Sequence, residues 1–308
     1  MSQKDSYRSI AGQMALPLFC QPWWLDVTAG SDGWDVLISK HADGTIQAVW
    51  PFGKKQSLGF TRIFLPSYTP YLGPQLFYPR SLNEYERRSF EHKVIGDLIS
   101  NLPASRDIRF KWAVGYDNWL PFYWKGFEQT TRYTYICPIA DEQTQWKSLK
   151  SSAQRQIKKA EGEFDVEEST DVTSVIRLYR SSLEQKSEGQ EADETLLREL
   201  HSRVLEHQCG TVLEAKHGAN VVASLYLVWD HEQMYYLYGG QDAGSKDSGA
   251  KTYLFWQALR MASERQLSFN FEGSMIPGVE RFFRGFGAVL HTVHFIYKRK
   301  FPFTLVGI

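Results

Sequence analysis

The sequence predicts an α+β protein with two domains, each a mixed sheet with helices packed on it. Three observations predict this. The chain has 308 residues, enough for two ordinary domains, and its 43% hydrophobic and 15% aromatic content describes a globular protein with a substantial core. β-rich runs alternate with runs of helical period along the whole length. The chain also says the same thing twice. Val36-Leu37-Ile38-Ser39-Lys40-His41 matches Val212-Leu213-Glu214-Ala215-Lys216-His217, and Trp124-Lys125-Gly126-Phe127 matches Phe283-Arg284-Gly285-Phe286. At the spacing of the second match, Arg109–Trp112 falls on Ser268–Phe271 and Arg132–Ile136 falls on His291–Phe295. The element order also repeats: hairpin, strand, helix, strand, short helix, strand. Duplication of one fold follows, with domains at 1–140 and 141–308.

In the first series, residues 1–21 read as an irregular lead-in, and Pro22-Trp23-Trp24-Leu25-Asp26 starts a short helix with proline in its first turn. Asp35–Lys40 and Thr45–Phe52 form a hairpin about Asp43-Gly44. Leu58–Pro79, rich in Pro, Gly and Tyr, reads as a strand plus loops. Ser81–Ser100 carries Phe90, Val94 and Leu98 at helical spacing. Asp107–Val114 is a strand, Asn118–Lys125 a short aromatic helix, and Thr130–Ile136 a strand.

In the second series, Trp146, Leu149, Ala153, Ile157 and Ala160 share one helical face, with Lys147, Lys150, Arg155, Lys158 and Lys159 mostly off it. Phe164–Glu168 is a short strand. Val172–Gln185 and Glu194–Gln208 are helices, capped near Thr170-Asp171 and at Asp193. Thr211–His217 and Val221–Asp230 form a hairpin, and Gln233–Tyr238 is the next strand. A loop, Gly239–Gly249, leads into the helix Ala250–Gln266. Strand Leu267–Phe271, the acid Glu272, a turn at Pro277-Gly278, Arg281-Phe282-Phe283-Arg284, Gly285-Phe286-Gly287 and strand Val289–Lys298 follow.

Composition excludes several classes. Net charge is zero, so the whole molecule has no strong pull toward nucleic acid or an anionic membrane. Cys20, Cys137 and Cys209 are widely spaced and lack metal-ligand spacing, which fits incidental thiols in a reducing compartment. The first residues form no signal peptide, and no stretch approaches the ~18 apolar residues of a membrane span. A soluble, cytoplasmic protein without a membrane span is expected. His291 and His294 fall on opposite faces of a strand, and His201 and His207 do not share a helix face, so no metal is expected. No Ser/His/Asp or Cys/His nucleophile set is visible.

The order strand, two helices, three antiparallel strands, helix, strand, short helix, strand is that of the GNAT N-acyltransferase fold. The tandem pair resembles the Fem-type (FemAB-like) peptidyltransferases. Ala153-Gln154-Arg155-Gln156-Ile157-Lys158-Lys159-Ala160 is similar to the Arg-x-x-Ile-Lys-Lys-Ala helix of that group. Phe271-Glu272-Gly273-Ser274 through Arg284-Gly285-Phe286-Gly287 resembles its tail signature. Two departures stand out. Ser182–Asp193 is too short for the coiled-coil arm of many bridge-building Fem proteins, and the tail's basic residue is Arg284 rather than lysine. Arginine suits anion clamping better than proton transfer.

The resemblance implies N-acyl transfer: an acyl or aminoacyl group moves from acyl-CoA or aminoacyl-tRNA, as co-substrate, to an amine. The acceptor is a small molecule or a peptide or cell-wall-precursor amine, with tRNA as a further partner; no tightly bound cofactor is required. It places donor binding at Gly239, Gly240, Gln241, Gly244, Ser248, Gly249, Ala250 and Lys251, where glycines and a helix start can approach an anion. Asp242 and Asp247 partly cancel the positive field of Lys246 and Lys251 there. Glu272 orients or deprotonates the amine, or else caps the turn or pairs with Arg281 or Arg284. Arg284 stabilises the oxyanion or holds an anionic substrate group, or else pairs with Glu272 or Glu280. Tyr238 protonates the leaving thiolate, or else belongs to an aromatic core strand. The first domain lacks the Gly-rich loop; its equivalent, Ser67–Pro79, is full of prolines and tyrosines, which suits a scaffold or acceptor-side wall. The rival readings are a small-molecule N-acetyltransferase and a non-catalytic binding or assembly protein on a degenerate GNAT scaffold. The basic face Lys147–Lys159, with Lys298-Arg299-Lys300, either grips a tRNA or anionic carrier or is a solvated surface.

Overall fold

The computed structural model describes residues 2–57, 59–184, 193–245 and 248–299. Lys246, Asp247, Lys300 and most of the Ser182–Asp193 segment therefore lie outside the described residues. The chain divides into two compact units, Met1–Arg132 with Thr292–Ile308, and Tyr133–His291.

The first unit opens with α1 (Gln3–Ala11), where the sequence reading expected irregular chain. A capping box explains it: Ser2 Oγ accepts from Asp5 N, and the Asp5 carboxylate accepts from Ser2 N. Only Tyr7 and Ala11 bury, too few to show a helical stripe in sequence. Next come α2 (Pro22–Thr28), β1 (Trp34–Lys40), β2 (Ile46–Ser57), β3 (Phe60–Phe64) and β4 (Gln75–Leu76). After these come α3 (Glu84–Ser100), β5 (Ser105–Lys111), α4 (Leu120–Trp124) and β6 (Glu128–Cys137). In this unit β1, β2 and β3 are antiparallel neighbours and β3 runs parallel to β5. Leu37, Trp50, Ile63, Ile108 and Phe110 pack against Val94, Leu98 and Phe122 of α3 and α4. Trp34, Val36 and Val49 pack on the other face with Tyr7, Ala11 and Leu25 of α1 and α2.

The second unit contains α5 (Glu142–Ser148), α6 (Ser151–Glu161), β7 (Asp165–Ser169), α7 (Thr173–Glu184) and α8 (Glu194–Glu206). The hairpin strands β8 (Gly210–His217) and β9 (Asn220–Trp229) follow, then β10 (Gln233–Gln241), α9 (Ala250–Glu264), β11 (Ser268–Asn270) and α10 (Pro277–Arg284). The last strand is β12 (Val289–Arg299). β7, β8, β9 and β10 pair antiparallel in sequence order, and β10 runs parallel to β11. Ala223, Leu225 and Leu227 face α6 and α9 within one core that also holds Ile157, Leu254, Phe255 and Phe269. The stripe from Trp146 to Ala160 is two helices, because Leu149 leaves the helical region (ψ 139) and the Lys150 amide donates to Gly285 O at 2.9 Å.

The two units share the order hairpin, strand, helix, parallel strand, short helix, as the sequence repeat requires. The final strands are exchanged between the halves of the chain. Phe269 and Asn270 of β11 pair with Cys137 and Ile136 of β6, while residues Phe295–Arg299 of β12 pair with β5. The units differ where their parallel neighbours meet. In the first unit, Leu72–Phe77 threads the gap beyond β3: the Leu72 amide donates to Lys111 O at 3.0 Å, and β4 pairs with Ala48 and Val49 of β2. Trp112 Nε1 also donates to Pro74 O at 2.8 Å. The main chain itself fills that notch.

Candidate active site

In the second unit the corresponding gap begins at a fork. β10 pairs with β9 from Met234 to Gln241, with a bulge between Tyr236 and Tyr238, but with β11 only from Gln233 to Tyr235. Beyond Tyr235 the far edge of β10 has no strand partner among the described residues. Asn270 sits at the crotch, 1% exposed. Its Oδ1 accepts from Thr134 Oγ1 (2.7 Å) and from the Glu272 amide (2.9 Å), and its Nδ2 donates to Gln233 Oε1 (3.1 Å). One side chain therefore joins β6, β11 and β10 where they part.

The strand tip beyond Asn270 is strained. Glu272 has φ +59 and Gly273 φ +65, and a Cβ on Gly273 would lie 2.0 Å from Tyr133 O. A non-glycine residue in the left-handed region at a strand end is the kind of backbone cost that clusters at functional sites. Both Glu272 carboxylate oxygens are buried.

Aromatic rings line the α9 side of the fork. Tyr236 stacks edge-on against Phe255 at 4.8 Å, and Phe255 meets Phe271, Phe282 and Phe286 at 5.4–5.6 Å. Arg284 is exposed and pairs one turn back with Glu280 (2.8 Å), the alternative its sequence position left open. Glu280 also accepts from the Tyr135 hydroxyl at 2.5 Å. The Arg284 and Tyr135 hydrogen bonds hold the Glu280 carboxyl below the ordinary carboxylate range, and that same carboxylate pushes the Tyr135 phenol up. Tyr238 pairs with Tyr226 across β9, and its ring lies 4.6 Å from Tyr179 of α7, on the opposite face from the Phe255 cluster.

The loop residues divide by what fixes them. Gly239 and Gly240 are glycine because protein fills the space: a Cβ would lie 2.4 Å from Ser224 O in one and 2.3 Å from Leu178 O in the other. Gly249 caps α9 at φ +85, with Gln156 O of α6 2.7 Å from its would-be Cβ. Gly244 has nothing within 4 Å. Ser248 Oγ accepts from the Ala250 amide (3.2 Å) and donates to Ser245 O (2.6 Å). Gln241 pairs with Ala223, and Lys251 lies 5.9 Å from the Phe282 ring centre. Arg177 of α7 fastens the loop through Asp242 (3.2 Å) and Val221 O (2.7 Å).

Sequence reasoning missed Asn270, Tyr135 and Arg177, and named Glu280 only as a partner for Arg284. Asn270 left one signal, an amide in the apolar run Leu267–Phe271. Tyr135 meets Glu280, and Arg177 meets Asp242, only through tertiary pairing. Burial pushes the thiols of Cys137 and Cys209 up to about 12, so neither is a ready nucleophile. No group of metal-ligating side chains occurs among the described residues. The basic residues of α5 and α6 are exposed around a buried Ala153–Ile157–Ala160 stripe. Beside it, a cavity of about 540 Å³ is lined by Glu142, Trp146, Ile157, Lys158, Glu161 and Trp256, apart from the fork.

Residues 147–284 match the family model described as an acetyltransferase (GNAT) domain. No curated protein matches the chain. Among solved structures it is similar to FemX, at 13% identity over 94% of this chain and 95% of that one, with a TM-score of 0.68. It is also similar to a conserved protein of unknown function from Bacteroides thetaiotaomicron (11% identity, 96% and 97% covered, TM-score 0.56). A third is the C-terminal domain of a putative lysylphosphatidylglycerol synthetase from Agrobacterium fabrum (10%, 97% and 92%, TM-score 0.54). No helix among the described residues is long and apolar enough to cross a membrane.

Proposed function

We propose that this chain, Fem-like in fold with a GNAT domain over residues 147–284, is an acyltransferase that moves an acyl or aminoacyl group onto an amine. The donor is a CoA thioester or an aminoacyl-tRNA. The observation that carries this reading is the fork: β10 leaves β11 after Tyr235, and α9 starts beside it at Ala250. The edge of β10 beyond Tyr235, without a strand partner among the described residues, offers main-chain groups to align an extended donor, and the first turn of α9, with Lys251, faces its phosphates. The amine lone pair attacks the donor carbonyl carbon, the carbonyl oxygen becomes the oxyanion, and collapse expels the thiolate or ribose oxygen. Glu272 is the group proposed to orient the amine and take its proton, and Arg284 to hold an anionic part of a substrate. Tyr238 is given no role, since its ring packs on Tyr179 on the far face.

A thermal-shift titration with acetyl-CoA, beside filter retention of charged tRNA, tests this. Lys251→Glu should weaken whichever donor binds by about ten-fold. Gly249→Glu is a poor probe, because its side chain would strike Gln156 O and strain a left-handed cap. Failure of both donors would sink the proposal. The aromatic cluster around Phe255 favours one other reading, a binding protein on the same scaffold. Donor binding with no acyl transfer to any amine panel would select it.

A further inference from the structure

One face of the first unit concentrates positive charge in a chain that is neutral overall. Ile63, Ile108, Phe110 and Ile296 point into the core with α3 and α4. Alternation therefore puts Asp107, Arg109 and Lys111 of β5 on the other face, beside Arg62 of β3 and Arg299 of β12. Asp107 is 1% exposed. It accepts from Arg62 Nη2 (2.6 Å) and Nε (3.0 Å) and from Arg109 Nε (2.8 Å), while Arg299 Nε lies 4.0 Å away. Arg132 extends the patch, 6.0 Å from the Phe295 ring centre. Glu128 accepts from the Tyr297 hydroxyl at 3.2 Å. Lys55 of β2, opposite Arg62, lies on the same face, so the cations named here outnumber the carboxylates Asp107 and Glu128.

An ion pair that only stabilises a sheet needs one arginine for one aspartate. Three guanidiniums converge on one buried carboxylate, so their like charges lie closer together than the strands that carry them, where repulsion is incompletely screened. Asp107 fixes their positions, so a ligand meets a preformed set of donors. We infer that this face binds an oxyanion of the phosphate type. Guanidinium forks match phosphate oxygens in pairs, and several of them suit an anion with many oxygens better than one carboxylate. The rings here are already under cations, Arg299 over Tyr297 (5.6 Å) and Arg132 over Phe295, so the face offers phosphate contacts rather than base stacking.

The test titrates the full chain with inorganic pyrophosphate by calorimetry at fixed ionic strength, with chloride as control. A parallel arm sediments it with phosphatidylglycerol vesicles. Arg109→Gln and Arg132→Gln are compared with the parent, their folding checked by circular dichroism. Saturable binding in either arm, weakened about ten-fold or more by Arg109→Gln, supports the site, and the responding arm tells a free phosphate from a lipid headgroup. No binding in both arms, or binding that both variants leave unchanged, overturns it. Capture of a single-stranded oligonucleotide with no response to pyrophosphate or vesicles also overturns it.

Discussion

At the scale of single residues, two glycines of the same unit make opposite predictions. Gly273 holds φ +65 with Tyr133 O against its missing Cβ. Gly273→Ala should cost more than ~1 kcal/mol in urea denaturation, since both strain and a clash oppose it. Gly244 has open space around it and no positive φ. Gly244→Ala should be neutral or stabilising by up to ~1 kcal/mol through the unfolded chain. Equal costs at both sites would contradict the geometry. Glu91 of α3 gives a third prediction. It is 3% exposed and accepts from Tyr78 (2.9 Å), Asn118 (2.6 Å), Arg87 (3.2 Å) and Arg88 (3.1 Å). Burial pushes its carboxyl up, but the hydrogen bonds from Asn118, Tyr78 and Arg88 win and hold it below the ordinary carboxylate range. A lowered folded pKa means its stabilisation is complete above the unfolded value of about 4.3 and is lost as pH falls through the folded one. Glu91→Gln should flatten that acid limb in pH-dependent melting, and Glu91→Ala should cost roughly 3–5 kcal/mol.

At the scale of elements, the fork depends on one amide. Asn270 accepts from the Glu272 amide and ties Thr134 to Gln233 across three strands. Asn270→Ala should speed hydrogen exchange at Glu272 by at least ten-fold relative to β9, since the amide loses its acceptor and the strand tip loosens. Unchanged protection in mass-spectrometric peptides covering 268–276 would show that something else fixes the turn. Most elements were legible in the sequence because each has its own signature. The Asp43-Gly44 turn, the apolar stripe Ala153–Ile157–Ala160 and the proline at the start of α2 are local. The α5–α6 break was not, since Leu149 and Lys150 keep the apolar period and yield only to the distant carbonyl of Gly285.

At the scale of the molecule, the exchange of final strands governs how the chain can be cut. The fragment 1–140 lacks β12, the neighbour of β5, and the fragment 141–308 lacks β6, the neighbour of β11. Each should be unfolded or aggregated alone, by circular dichroism and size exclusion, because a buried strand edge is left unpaired. Expressed together they should recover native signal. A folded, monomeric 141–308 alone would refute this.

The amino-acid pattern determined the repeated order of elements, the GNAT-like succession of strands and helices, and the uneven fate of the two loops, since glycine, proline and apolar period act over a few residues. Tertiary structure decided which half each closing strand joins, that Gly239 and Gly240 answer to protein neighbours, that Arg284 turns to Glu280, and that Asn270 locks the fork. Those outcomes depend on which of several possible neighbours a group meets, and for the closing strands and Asn270 these lie more than a hundred positions away, so a linear order does not say which contact forms.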